Sequence, residues 1–140
     1  MVQHANVGTI TEEIIDRCID LLRADPGLSS IVPSHENPEY HPFRGKRIGE
    51  DGCLQPFAEN SVGASANRQE LPTCLFFDHS IWVIRAGAIL DPNGQGPWPC
   101  MGQNIKPYIT NGCLDVHSLE DIEHTERWIS ENEVKKPNFD

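Results

Sequence analysis

Several common signatures are missing from this sequence, and each absence removes a class of protein. No apolar run approaches the roughly 20 residues that a membrane-spanning helix needs. No charged segment followed by an apolar core opens the chain, so we expect no secretory signal. Basic residues are scarce, with 11 Lys and Arg against 21 Asp and Glu and a formal net charge of −10. This charge argues against a protein held mainly by nucleic-acid phosphates or by a membrane of anionic lipid.

Motifs for metal, nucleotide and nucleophile chemistry are also missing. The five cysteines are odd in number, and no two form a C-x-x-C pair, so neither a zinc site nor a disulfide framework is expected. We interpret them as small buried hydrophobic residues in a reducing compartment, which predicts a cytoplasmic protein. The sequence contains no H-E-x-x-H, no G-x-S-x-G, and neither of the glycine-rich phosphate motifs G-x-x-x-x-G-K-[ST] and G-x-G-x-x-G.

Hydrophobic periodicity predicts a mixture of helices and strands along the 140 residues, which is enough for one domain. A helix is predicted between a Thr9 or Thr11 cap and the Asp-Pro-Gly turn at 25–27. Strands are predicted at 29–34, 44–48, 53–57, 81–84 and 107–109, a short helix at 86–90, and a loop at 91–104. Residues 44–57 should form a hairpin around Asp51-Gly52. This order suits an α/β or α+β domain.

The stretch from Gly112 to Ile129 holds the first candidate chemistry. Leu114 and Val116 alternate with Asp115 and His117, as in a short strand with one buried face. Residues two apart on a strand point the same way, so a carboxylate and an imidazole should project side by side. The alternative interpretation makes the aspartate a turn residue and the histidine a packed or solvated side chain.

A helix should follow this strand. Ser118 can cap it, and Asp121 stands three residues later, close to a capping box. The apolar residues of this helix then fall on one face: Leu119, Ile122 and Ile129.

A second candidate is the basic cluster of Arg44, Lys46 and Arg47, which is the densest in an acidic chain. Two interpretations stay open. The cluster is either the solvated face of a strand or a mobile arm that neutralises a phosphate or a carboxylate.

A set of short segments stands in an order that a known family shares. The segments are Val2-Gln3, Thr11-Glu12-Glu13-Ile14-Ile15-Asp16, His41-Pro42-Phe43-Arg44, Asp51-Gly52-Cys53-Leu54-Gln55-Pro56-Phe57, Arg68-Gln69-Glu70-Leu71-Pro72, Ser80-Ile81-Trp82-Val83 and Leu114-Asp115-Val116-His117-Ser118-Leu119-Glu120-Asp121. Together they resemble the C-terminal part of the CMP-sialic acid synthetase (acylneuraminate cytidylyltransferase) family. Its members join CTP to an acidic nonulosonic sugar and release pyrophosphate. The resemblance runs from Val2 to about Ile129.

The resemblance implies an α/β chain with a partial Rossmann-like nucleotidyltransferase fold in three αβα layers. The family's N-terminal half carries a Gly-rich basic loop that holds CTP, and nothing in this sequence matches that half. We therefore expect residues 1–130 to be the C-terminal part of a cytidylyltransferase-like domain and 131–140 a polar tail. The expected partners are CTP, an acidic nine-carbon sugar, and either a second copy in a homodimer or the missing N-terminal half.

Several residues acquire expected roles from the resemblance. Arg68 would approach the acidic substrate as a catalytic residue, with Gln69 beside it. Arg44 would be a mobile basic residue near the phosphates. Gln3 and Asn6 would contact the sugar.

The resemblance also implies a divalent ion. Asp115 matches the first of two aspartates that hold the catalytic ion, and His117 replaces the second. Asp78 stands where the family has an asparagine that binds the sugar. Mg²⁺ prefers oxygen ligands, whereas an imidazole better suits Mn²⁺, so the cofactor expected is one of these two ions.

Such residues suit nucleotidyl transfer for a physical reason. A sugar oxygen attacks the α-phosphorus of CTP, and negative charge builds on phosphate oxygens that a divalent ion and arginine can stabilise. The leading expectation is therefore the sugar- and metal-binding part of an enzyme, inactive alone. The alternatives are a non-catalytic module that binds an acidic sugar and a truncated gene remnant.

The 140-residue chain alone should form no CMP-sugar, because it has no motif that could hold CTP. Pyrophosphate release should stay at background when the chain is incubated with CTP, sialic acid and Mg²⁺ or Mn²⁺. A complete cytidylyltransferase in the same assay is the positive control. Turnover on the order of 1 s⁻¹ by the chain itself would contradict this expectation.

Overall fold

The computed structural model describes residues 1–58 and 65–132. The chain divides into two compact units, which are Met1–His35 with Phe77–Asp140, and Glu36–Phe76. We call them the first and the second unit. The boundary expected near residue 130 stays a prediction, since most of the expected tail lies outside the described residues.

Helix α1 (Glu12–Ala24) confirms the helix predicted from the apolar stripe. Thr11 is its N-cap, and the Thr11 hydroxyl oxygen accepts a hydrogen bond of 3.4 Å from the Ile14 N–H. This bond satisfies one of the N–H groups that the first turn leaves without a partner. Cys18 and Leu22 are the buried residues of the helix, so its apolar stripe faces the core.

The described residues contain seven strands: β1 (Val2–Gln3), β2 (Ser30–Glu36), β3 (Lys46–Ile48), β4 (Leu54–Pro56), β5 (Leu75–Phe77), β6 (Ile81–Ile84) and β7 (Ile105–Ile109). One sheet has the order β1-β6-β2-β5, with β7 also paired to β2. Strand β6 runs antiparallel to both β1 and β2, whereas β7 runs parallel to β2. These elements confirm the expected α/β class. A Rossmann-like sheet is mostly parallel, so this mostly antiparallel sheet does not establish the finer fold expected from the resemblance.

The core lies on the two faces of β2 and β6. Ile31 and Val32 are both fully buried, and consecutive strand residues point to opposite faces. The residues on one face pack with α1: Cys18, Leu22, Ile31, Ile81 and Val83. The residues on the other face form a second apolar cluster: Val32, Trp82 and Met101. A short chain therefore buries apolar side chains on both sides of its sheet.

The predicted strand around Asp115 is wrong. Residues 113–117 form no strand, and Asp115 makes only a single antiparallel bridge, to Val7. The predicted helix and its capping box are confirmed, because α3 (Leu119–Glu131) begins at the Ser118 cap and Asp121 closes the box. Hydrogen bonds from the His117 N–H and from Ser118 lower the pKa of Asp121.

Helix α3 packs through only part of the face that its apolar residues suggest, where Ile129 is half-buried. Leu119 and Ile122 are exposed, and Thr125 is the buried residue of the helix. A Cβ on Gly8 would lie 2.7 Å from Cγ2 of Thr125, so only glycine permits this approach. The close packing of α3 on the N-terminal segment therefore depends on a small residue rather than on large apolar ones.

The second unit contains the predicted hairpin. Strands β3 and β4 pair antiparallel, with Lys46 opposite Pro56 and Ile48 opposite Leu54. Gly52 has a φ of 78°, which fits the turn expected at Asp51-Gly52. The short helix predicted after β6 is α2 (Ala86–Ile89) of the first unit. In the part of the chain that is described, every helix is too short or too polar to cross a membrane.

Replacing Ile31 with alanine should lower the free energy of unfolding by about 2–5 kcal/mol, because it opens a cavity between the sheet and α1. Ile109→Ala, at an exposed position of the same sheet, is the control and should lower it by less than about 1 kcal/mol. Urea unfolding curves measure both values. Equal losses would show that the β2 face is not the core.

Candidate functional site

Three residues with predicted roles meet in the first unit, and we call them the Asp115 cluster: Asn6, Asp115 and His117. The Asn6 amide donates to Oδ1 of Asp115 across a sequence separation of 109 residues. His117 Nε2 lies 2.8 Å from the other carboxylate oxygen. The side chains of Asp115 and His117 are 36% and 73% exposed. A carboxylate and an imidazole therefore stand side by side in reach of solvent, as the sequence predicted, although no strand presents them.

Backbone hydrogen bonds to the N-terminal segment hold this cluster in place. The Val116 N–H donates to the Asn6 carbonyl at 2.8 Å, and the Leu114 N–H donates to the Thr9 hydroxyl oxygen at 2.8 Å. Gly112 turns the chain into this segment with a φ of 93°, a conformation that favours glycine. The position of Asp115 thus depends on residues near the other end of the chain.

A second carboxylate, Asp78, forms a buried cluster with His35 and Thr110, which we call the Asp78 cluster. The Asp78 side chain is 2% exposed. His35 Nδ1 contacts Oδ1, and the Thr110 hydroxyl donates to Oδ2 at 2.5 Å. Both carboxylate oxygens therefore have protein partners. The expected contact between Asp78 and a sugar stays a prediction, and it would require one of these partners to give way.

The thiol of Cys113 interacts electrostatically with the carboxylates of both Asp78 and Asp115. Burial, together with the negative charges of Asp78 and Asp115, raises the pKa of its thiol to about 11. The folded protein therefore holds the thiol proton more tightly than an unfolded chain does. The free energy of unfolding falls as the pH rises from 9 towards 11, because the unfolded chain loses this proton at a lower pH. At neutral pH this cysteine is a protonated thiol and a poor nucleophile.

Asp115 and His117 by themselves provide too few ligands for the metal site that the resemblance implies. Among the described residues, no group of three or more His, Cys, Asp or Glu side chains is arranged to hold a metal ion. The pair offers one carboxylate and one imidazole, and these two groups already contact each other. Mg²⁺ requires about six ligands, usually including water and phosphate oxygens. The pair fits a divalent ion only as part of a shell that a phosphate ligand completes.

The second unit contains a cavity of about 270 Å³ lined by two residues with predicted roles, Arg68 and Gln69. Both lie on a short 3₁₀ turn, Arg68–Glu70, which Asn67 caps by accepting a hydrogen bond of 3.2 Å from the Gln69 N–H. The Ser65 hydroxyl and the Asn67 amide donate to the Glu70 carboxylate and lower its pKa. The turn that carries the arginine is therefore held by its own polar side chains.

His41 also lines this cavity. Its side chain is buried, its Nδ1 accepts a hydrogen bond of 3.1 Å from the Phe43 N–H, and its Nε2 lies 3.0 Å from the Pro72 carbonyl oxygen. A carbonyl only accepts, so Nε2 carries the proton and the ring is neutral. We interpret His41 as a structural link between two loops.

Arg44 and Arg68 converge on one residue that the sequence did not single out. Glu39 Oε1 contacts Nη1 of Arg68, and Glu39 Oε2 lies 4.0 Å from Nη1 of Arg44. Arg44 and Arg68 are therefore close to the same carboxylate, and both interpretations of the basic cluster stay open. Glu39 stands in a loop rich in proline, where no periodicity marks it.

The resemblance also implies that Arg68, Asp78 and Asp115 face one cleft. This stays a prediction, because the arginine belongs to the second unit and the two aspartates to the first. Gln3 lies in the exposed strand β1, opposite Ile81. No protein-family model matches the sequence, and no curated protein matches it either. Functional assignment therefore depends on the residues themselves.

Replacing His35 with alanine should destabilise the protein by about 2–4 kcal/mol, because it leaves the buried Asp78 carboxylate with one partner fewer. The matched control is His117→Ala, which removes an imidazole from an exposed carboxylate and should change stability by less than about 1 kcal/mol. Thermal or urea unfolding at pH 7 separates the two. Similar losses would contradict the burial of Asp78.

Proposed function

We propose that this chain is the sugar- and metal-binding part of a cytidylyltransferase that activates an acidic nonulosonic sugar with CTP. The finer fold proposed with it is a partial Rossmann-like nucleotidyltransferase fold. The parallel pairing of β2 with β7 supports that fold, since Ser30 to Ser34 pair in register with Ile105 to Ile109. Strand β6 pairs antiparallel with both β1 and β2, so this support comes from one pair of strands.

The observation that carries this proposal is the Asp115 cluster. The resemblance gives Asn6 a sugar contact and gives Asp115 and His117 a divalent ion, and Asp115 contacts both of the other residues. The interaction joins residues 109 positions apart, so proximity along the chain does not explain it. A carboxylate and an imidazole with access to solvent suit the coordination of a cation shared with a phosphate.

The cavity of the second unit supports an acidic sugar as the ligand. Arg68 supplies a guanidinium that can bind a carboxylate with two parallel hydrogen bonds, and Gln69 can hydrogen-bond to hydroxyl groups. The volume of about 270 Å³ lies near the lower end of the range for ligand pockets. It suits a monosaccharide better than a whole nucleoside triphosphate.

The reaction needs positioning more than covalent chemistry from the protein. A sugar hydroxyl oxygen forms a bond to the α-phosphorus of CTP and loses its proton to solvent, the bond from that phosphorus to the bridging oxygen breaks, and pyrophosphate leaves with the electron pair. A bound divalent ion would neutralise charge on the phosphate oxygens. Arg68 would orient the sugar by its carboxylate, and Arg44 would offset the charge of the phosphates. Asn6 holds Asp115 in place through its amide.

A non-catalytic module that binds an acidic sugar is the second candidate. The observation that favours it is the incomplete donor set, with only two potential metal ligands in the Asp115 cluster. Such a module would use the Arg68 cavity and would need no divalent ion. The response to Mn²⁺ distinguishes the two candidates.

The intact chain should bind Mn²⁺ weakly, and it should bind more tightly when CMP or pyrophosphate is added to complete the shell. Paramagnetic broadening of the His117 ring resonances measures this binding. Asp115→Asn should abolish the broadening, because it removes the charged oxygen ligand. Asp20→Asn, at an exposed position of α1, changes the net charge equally and should have no effect.

Sialic acid should bind the same protein through Arg68. Arg68→Gln should weaken binding at least tenfold in titration calorimetry, whereas Arg47→Gln in the hairpin should not. Binding of sialic acid without any site for Mn²⁺ would favour the module. Loss of both bindings in the unaltered chain would refute the proposed function.

A further inference from the structure

The Glu39 carboxylate of the second unit lies beside two arginine side chains, Arg68 and Arg44. It contacts Arg68 and lies 4.0 Å from Arg44, so one acidic side chain faces two cations. Arg44 Nη1 also donates to the Pro38 carbonyl at 3.4 Å. Pro38 and Arg68 both line the cavity of about 270 Å³. Arg68 is therefore a lining residue of the cavity, and the Glu39 carboxylate links it to Arg44.

This carboxylate can exchange with a ligand. The Glu39 side chain is 63% exposed and those of Arg68 and Arg44 are 54% and 44% exposed, so water screens every charge of the group. Ion pairs in such surroundings are weak. An incoming carboxylate or phosphate replaces the lost interaction with one of the same kind, whereas a neutral molecule does not.

The fold of the loop does not require the Glu39 side chain. Backbone hydrogen bonds close both short turns of the loop, from the Tyr40 N–H to the Asn37 carbonyl at 3.2 Å and from the Arg44 N–H to the His41 carbonyl at 2.9 Å. His41 fastens the segment to Pro72. These contacts hold the loop without the Glu39 side chain.

We propose that Glu39 is a resident carboxylate that an acidic ligand must displace from Arg68 and Arg44, so that it lowers the affinity of the site for anions and leaves that for neutral ligands unchanged. In the free protein it keeps the arginines paired. A ligand with a carboxylate or a phosphate takes over both guanidinium groups, while a neutral sugar leaves the pair closed. The identity of the natural ligand as an acidic sugar rests on the proposed function, but the exchange itself does not.

The test compares Glu39→Gln with the unaltered chain, using pyrophosphate as a probe that requires no sugar site. Glutamine keeps the shape and removes the competing charge. Calorimetric titration at low salt should give binding about two- to fivefold tighter for the variant, the effect expected from removing one weak surface ion pair. Glu50→Gln in the hairpin turn is the matched control, because it changes the net charge of the same unit equally and should leave the affinity unchanged.

A second titration uses sialic acid and its neutral methyl ester. The ratio of the affinity for the acid to that for the ester should be smaller in the unaltered chain than in Glu39→Gln, because only the acid competes with Glu39 for the two guanidinium groups. Equal pyrophosphate affinities, weaker binding by the variant, or no binding by either protein would overturn the proposal. If pyrophosphate responds as expected and sialic acid does not bind, the exchange stands and the proposed function fails.

Discussion

Strand β2 must satisfy backbone groups on both of its edges while both of its faces are buried. Ser30 pairs with Ile84 of β6 on one side and with Ile105 of β7 on the other. Buried carbonyl groups without partners are costly, so the chain beyond these strands completes the pairing. The Asp78 N–H donates to the Pro33 carbonyl, and the Thr110 N–H donates to the Ser34 carbonyl. The rest of the first unit is arranged around this requirement.

The Asp78 cluster follows directly from that pairing. The same backbone bonds that extend β2 bring the side chains of Asp78 and Thr110 to its end, where His35 stands next in the chain. Thr110 also accepts a hydrogen bond of 3.2 Å from the Gly112 N–H, at the turn that leads to Asp115. The buried carboxylate therefore connects the sheet to the exposed Asp115 cluster. Hydrogen bonds thus link the buried carboxylate to the turn at Gly112, which precedes Asp115 in the chain.

Local structure was largely predictable from the residues. The Thr11 and Ser118 caps, the stripe of α1 and the Asp51-Gly52 turn each act within a few residues, so pattern and propensity decide them. The strand predicted at Asp115 failed for a physical reason. Alternation of apolar and polar residues also suits a segment that bonds by its backbone to Asn6 and Thr9 without a continuous ladder. Similarly, the apolar residues of α3 indicated only part of its packed face, since the closest packing is that of Thr125 against Gly8.

The sequence by itself determined the class of the domain, its elements, its acidic charge, and the residue types available for chemistry. It also placed Asp115 beside His117, since the two are only two residues apart. Tertiary structure alone decided that Asn6 meets Asp115, that His35 and Thr110 engage the buried Asp78, and that Glu39 stands between two arginines. These contacts join residues far apart in the chain. Their partners are chosen by the pairing of strands and by the burial of polar groups, which no local pattern records.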